Sequence, residues 1–208
     1  MIRRLLSVFA ALSTILLLSI SSSIATVPSQ CLNRDVTISG TNNNDNINGT
    51  NGTDVIALGD GNDTSDGLDS GDRICGNDNN DTLSGSQGPD FIDGGPDDDT
   101  LTGNADNDVI TADGGSDTAY GNGGADDISG QDGPDVLQAG DGNDTVSGDP
   151  GNDEVWDGTG LMDDLHGNDP TSPGPGGSGD YLWHCQQSGE TDTWVGFEFV
   201  FSSSSYCI

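Results

Sequence analysis

From Gly40 to Trp156 the chain divides into nonapeptides without an insertion or deletion, and each of the thirteen units has Asp in its sixth place. The units read GTNNNDNIN, GTNGTDVIA, LGDGNDTSD, GLDSGDRIC, GNDNNDTLS, GSQGPDFID, GGPDDDTLT, GNADNDVIT, ADGGSDTAY, GNGGADDIS, GQDGPDVLQ, AGDGNDTVS and GDPGNDEVW. Their sixth residues are Asp45, Asp54, Asp63, Asp72, Asp81, Asp90, Asp99, Asp108, Asp117, Asp126, Asp135, Asp144 and Asp153. Chance agreement of this kind is roughly 10⁻¹⁰, so the period reflects an architecture rather than low complexity. The eighth place is aliphatic at Ile47, Ile56, Ile74, Leu83, Ile92, Leu101, Ile110, Ile128, Leu137, Val146 and Val155, with Ser65 and Ala119 as the two weak units. The first place is Gly in ten units, and the fourth is Gly in eight: Gly52, Gly61, Gly88, Gly115, Gly124, Gly133, Gly142 and Gly151.

A fixed period this short implies a solenoid of identical rungs. The first six places, rich in Gly, Asn and Asp, predict a tight loop. The last three predict a short strand, whose alternation turns the eighth residue inward and its neighbours outward. Two units then close one coil of eighteen residues, and coils stack at about 4.8 Å, the strand spacing of a sheet. The expected fold is all-β: a right-handed parallel β-roll of thirteen half-coils. Units two apart stack directly. Asp45, Asp63, Asp81, Asp99, Asp117, Asp135 and Asp153 therefore line one edge, and Asp54, Asp72, Asp90, Asp108, Asp126 and Asp144 the other.

Stacked carboxylates about 5 Å apart repel by roughly 1–3 kcal/mol per pair. The chain carries 36 acidic against 4 basic residues and a formal charge of −32, so it has few cations of its own to offset this. Only Glu154, Glu190 and Glu198 are Glu; the remaining acids are Asp, the shorter side chain that suits turns and hard cations. Ca²⁺ takes six to eight oxygens from carboxylates and backbone carbonyls. The sixth-place Asp side chains and the fourth-place Gly carbonyls are the candidate ligands. Six gaps on one edge and five on the other give at most about 11 shared sites. Calcium is thus expected to drive folding, leaving the metal-free chain largely disordered.

The pattern resembles the G-G-x-G-x-D-x-U-x nonapeptide of the repeats-in-toxin (RTX) proteins, where U is a large aliphatic residue. That resemblance implies a parallel β-roll in which Asp side chains and loop carbonyls of neighbouring coils sandwich each calcium ion. The chain departs from the pattern at the second place, which is Gly only at Gly59, Gly95 and Gly140. Asn43, Ser70, Asn79, Asp97 and Asp106 replace Gly at the fourth.

Outside the repeat, Arg3-Arg4, an apolar run and Ser23-Ile24-Ala25 predict a signal peptide over 1–25 and an extracellular, secreted product. Residues 26–39 are expected to cap the first coil. Residues 157–179 read as loop and linker, and 180–208, with alternating Val195, Phe197, Phe199 and Phe201, as a β cap. An exported chain with four cysteines suggests two disulfides: Cys185 with Cys207 in the cap, and by elimination Cys31 with Cys75. The negative charge argues against nucleic acid as a partner, and no stable membrane insertion is expected after signal cleavage. Two isolated histidines, His166 and His184, do not define a transition-metal or catalytic site, and no stretch is left to house a catalytic domain. The expected function is calcium binding by a secreted structural or interaction protein, not an enzyme. The alternatives are an adhesin or surface-layer module that binds a protein or glycan, and a remnant or accessory of an RTX hydrolase.

Overall fold

The structure is a computed structural model that describes residues 30–159, 164–167, 181–184, 193–195 and 199–202, and these contain strands and turns but no helix. They form a parallel β-solenoid of about seven turns. The chain alternates between two nine-stranded sheets, so each strand pairs with the strand two further on. The step is eighteen residues. In one sheet Ile38, Ile56, Ile74, Ile92, Ile110, Ile128 and Val146 are successive register partners. In the other the partners are Ile47, Ser65, Leu83, Leu101, Ala119, Leu137 and Val155. From Ile56 to Val155 these eighth-place residues are buried, and all but Ser65 join one continuous apolar core.

Nine of the thirteen strands of the repeat are longer than the sequence predicts, while Asn46–Asn48, Asp127–Ser129, Thr145–Ser147 and Glu154–Trp156 keep the three residues expected. Thr82–Gln87 and Thr100–Ala105 each run six residues, from the seventh place of one unit through the third place of the next. Only three residues per unit are left for the turn. The first place therefore also points inward, and its Gly lets backbones stack closely. A Cβ on Gly67 would lie 2.8 Å from the carbonyl oxygen of Gly85 in the next coil. Where the first place is not Gly, it holds Leu58, Ala112 or Ala139, all fully buried in the core.

Pairing continues beyond the nonapeptides. Asp164–His166 is a strand inside the stretch expected to be loop, because fully buried Leu165 supplies the next aliphatic rung opposite Val146. Leu182 then pairs with Val155, and Val200 with Leu182, while Trp194 pairs with Leu165. Both sheets are thus extended by parallel strands.

At the other end, Gln30–Cys31 and Arg34–Asp35 form an antiparallel hairpin. Cys31 and Cys75 are disulfide-bonded with Cα atoms 5.8 Å apart, as expected by elimination. Cys31 packs with the ninth-place residues Ala57 and Cys75, alongside Leu32, Val36 and Val55, so the hairpin covers part of the outer face of one sheet. Residues 1–25, expected to be a signal peptide, and Cys185 and Cys207, expected to pair, lie outside the described residues.

Candidate metal centre

Every strand of the repeat begins at the seventh place, so each sixth-place Asp sits at the bend, with its carboxylate turned under the coil rather than out into solvent. Twelve of the thirteen are buried, and Asp45 in the first unit is half-buried. They form two ladders. The backbone N–H of each Asp donates to Oδ1 of the Asp one coil further on, at 2.7–3.0 Å. One ladder runs Asp45-Asp63-Asp81-Asp99-Asp117-Asp135-Asp153, and the other Asp54-Asp72-Asp90-Asp108-Asp126-Asp144, so the two expected edges are brought together as aligned rows. The Asp carbonyls are also used: Asp63 and Asp81 accept from the N–H of Thr82 and Thr100 at 2.9 Å.

The second carboxylate oxygen is different. Oδ2 of Asp63, Asp72, Asp81, Asp90, Asp99, Asp108, Asp117, Asp126 and Asp135 is buried without a hydrogen-bond partner. A buried ionised oxygen left in this state costs several kcal/mol, so these nine atoms call for a cation or a proton. Seven of the nine, from Asp72 to Asp108 together with Asp126 and Asp135, lie against a first-place Gly; a Cβ on Gly67 would meet Asp72 Oδ2 at 2.5 Å, and one on Gly94 would meet Asp99 Oδ2 at 2.5 Å, whereas Asp63 and Asp117 belong to the units that begin with Leu58 and Ala112.

The first two loops are built otherwise. Asp45 Oδ2 accepts from the N–H and Oγ1 of Thr41 at 2.7 and 2.9 Å, and Asp54 Oδ2 from those of Thr50 at 2.6 and 2.9 Å. Their carboxylates are satisfied within the loop, which the sequence did not announce.

The loop backbone also shows what the second place does. From Gly59 to Asp149 every second-place residue has φ between 62° and 110°, yet only three of these eleven are Gly. Asn77, Asn104, Asp113, Asn122 and Asp149 are types that tolerate this region, whereas Leu68, Ser86 and Gln131 are not favoured there. The apparent departure from the repeat pattern thus keeps the loop shape, and Asx at the second place was the available signal. The fourth place behaves likewise: φ is positive at Gly61, Gly88, Gly124 and Gly133, and also at Ser70, Asn79, Asp97 and Asp106. Stacking is tight here too, since a Cβ on Gly61 would be 2.9 Å from the carbonyl oxygen of Asn43 one coil back.

From Asp63 to Asp135 burial is the largest influence on the ladder carboxyls and raises their pKa above 3.8; the amide of the preceding Asp lowers it, and for most of them neighbouring carboxylates raise it further. The result is about 6 for Asp72 and Asp117, about 7 for Asp81, Asp90 and Asp108, and about 8 for Asp99 and Asp135. Among the described residues no three His, Cys, Asp or Glu side chains converge on one point. Loop carbonyl oxygens and the buried carboxylates together offer a mixed set of hard donors of the kind that suits Ca²⁺.

A two-sheeted parallel solenoid with a buried carboxylate at every bend defines a calcium-binding β-roll. The family model for the RTX calcium-binding nonapeptide repeat (4 copies) matches in six segments, of which the first covers residues 39–74 and the others, overlapping, 76–155. The chain belongs to this RTX repeat family, and calcium binding with a structural role follows from that membership. No curated protein gives a significant match to the chain.

Proposed function

We propose that the mature protein is an extracellular structural rod, without a catalytic role, whose sheets assemble only when calcium fills the gaps between stacked loops. The observation that carries this reading is the set of nine partnerless Oδ2 atoms. Asp63, Asp72, Asp81, Asp90, Asp99, Asp108, Asp117, Asp126, Asp135, Asp144 and Asp153 would hold the ions, together with loop carbonyls from the fourth-place residues. Asp45 and Asp54 are already engaged by Thr41 and Thr50, so their gaps drop out of the ceiling of 11. Five gaps remain on one edge and four on the other, giving nine ions. Secretion through the 1–25 signal supplies the compartment, since extracellular calcium suits sites with Kd around 10⁻⁴–10⁻³ M.

Two measurements test this. Metal analysis of the mature protein after equilibrium dialysis should give about nine calcium ions per chain. Far-ultraviolet circular dichroism should show sheet appearing on calcium addition and vanishing in EGTA. Equal sheet signal in both conditions overturns the coupling of folding to calcium.

A further inference from the structure

The four basic residues of the chain are Arg3, Arg4, Arg34 and Arg73, so beyond the signal only two cations face 36 carboxylic acids. Those two line the same groove. Arg34 comes from the antiparallel hairpin, Arg73 from the start of the strand Arg73–Asp78, and the Cys31–Cys75 bond ties hairpin and strand together. Arg73 lies over the ring of Phe91, its register partner on the next strand, at 4.2 Å from the centroid. Among the described residues neither guanidinium has a carboxylate in ion-pair contact, in a chain where carboxylates are the commonest side chains. Asp72 borders the groove, but its side chain is fully buried: its Oδ1 is taken by the Asp54 amide at 2.7 Å and its Oδ2 is turned toward Gly67.

The remaining walls are mostly apolar: Val55, Pro89 and Phe91, with Thr53 and Gly71, line an open groove of about 290 Å³. Phe91 is 38% exposed, and among the described residues it is the one large hydrophobic side chain left so open. A guanidinium stacked on an aromatic face is held in place with its N–H edge free, and that fork matches a carboxylate in two hydrogen bonds. Two neighbouring guanidiniums repel each other until an anion lies between them. The volume is at the small end of ligand sites and admits a single ring. A bare inorganic anion would use the arginines and leave the apolar wall unfilled.

We propose that this groove binds a uronate residue of an acidic polysaccharide, its carboxylate held by Arg34 and Arg73 and its ring lying against Val55, Pro89 and Phe91. The rest of the surface repels polyanions, so recognition is confined to this one patch near the first coils. The groove would fix one end of the rod to an acidic glycan. This deepens the structural role proposed above and uses the folded roll only as its scaffold.

The test uses the mature protein in a fixed calcium concentration, titrated with trigalacturonate, galactotriose or sodium sulfate and followed by calorimetry. Trigalacturonate should bind, galactotriose should not, and sulfate should bind at least tenfold more weakly. R34Q and R73Q should each weaken trigalacturonate binding about tenfold or more, the loss expected for one charge-assisted bidentate contact. F91L should weaken it several-fold. Arg34 is exposed on the hairpin, so R34Q carries the test if R73Q fails to fold. Equal binding of galactotriose, equal binding of sulfate, or unchanged affinity in R34Q overturns the proposal. Circular dichroism on the same samples reports calcium-driven folding separately, so failure of the groove and failure of the roll give different results.

Discussion

The backbone N–H of Asp99 donates to Oδ1 of Asp117 at 2.7 Å, while Asp99's own Oδ1 accepts from Asp81 one coil back. Each interior Asp is therefore a donor to the next coil and an acceptor from the previous one. The carboxylate links backbones first, and only its second oxygen is left for an ion. This arrangement separates the structural contribution of the side chain from the contribution of its charge, and substitutions can test the two independently.

Asp108 accepts from the Asp90 amide at 2.8 Å and donates through its own amide to Asp126 at 2.9 Å. Asp108→Asn keeps an oxygen acceptor for Asp90 and removes the charge. It should leave sheet content in EGTA equal or higher, yet raise the calcium concentration needed for folding. Asp108→Ala also orphans the buried Asp90 amide, at a further cost of about 1–3 kcal/mol. Asp45→Ala, at a half-buried terminal rung, should cost less than about 1 kcal/mol, since its carboxylate lies nearer water. Calcium titrations followed by circular dichroism should show the largest effect for Asp108→Ala, a smaller one for Asp108→Asn and the smallest for Asp45→Ala, and equal effects of Asp108→Ala and Asp45→Ala would contradict the ladder.

The raised carboxyls give a pH dependence of defined sign. In the folded chain burial brings Asp72 and Asp117 to about 6, Asp81, Asp90 and Asp108 to about 7, and Asp99 and Asp135 to about 8, against 3.8 ordinarily. The folded state thus binds more protons than the unfolded state between those limits. For the metal-free chain this contribution is fully present below about pH 4 and is lost as pH rises through about 6 to 8. Chelated protein should therefore gain sheet signal when taken from pH 8 to pH 5. Over the same range the calcium midpoint should move to higher concentration, because protons compete for the same oxygens. A chelated protein whose spectrum does not change over this range would show that the buried carboxyls are not the obstacle to folding.

The ladders, the two edges and the eighteen-residue register were legible because they depend only on the period, and Asp at the sixth place with an aliphatic at the eighth sets that period. The strand length was not. The first three places read as Gly, Asn and Asp, residues with poor strand propensity, and they join the sheet because a backbone without Cβ at Gly67 can stack on Gly85. The inward burial of the carboxylates was hidden for a related reason: charge alone suggests exposure, and only the packing under the first-place Gly turns Asp72 inward. Beyond Trp156 strand structure was legible around Val195 to Phe201, but the parallel continuation of the two sheets was not, because Leu165, Leu182 and Val200 leave the nine-residue spacing while keeping the pairing.

Two positions carry removable defects. Ser65 is buried between Ile47 and Leu83 in the register, and its hydroxyl has no hydrogen-bond partner among the described residues. Ser65→Ala should stabilise the calcium-loaded protein by about 1–2 kcal/mol. Leu68 has φ 80°, a left-handed conformation in which Cβ crowds the following carbonyl oxygen and which Asn tolerates better than Leu. Leu68→Asn should add about 1 kcal/mol. Thermal melts in excess calcium should show higher midpoints for both variants, with additive gains only if the two sites do not share a partner.

The sharpest test of the ion count lies in the first two loops. Thr50 closes its loop by donating both N–H and Oγ1 to Asp54 Oδ2, and its φ stays outside the left-handed region that the second place occupies from Gly59 onward. Thr50→Gly removes the hydroxyl donor and permits the backbone bend of the other eleven loops. Asp54 Oδ2 would then be as exposed to demand for a cation as Asp72 Oδ2, and the gap between them would hold an ion. Metal analysis should rise from about nine to about ten calcium ions per chain, and Thr41→Gly should act in the same way on Asp45. A T50G protein that still binds the wild-type number, with its fold intact by circular dichroism, would show that the threonine contacts do not decide which loops take calcium.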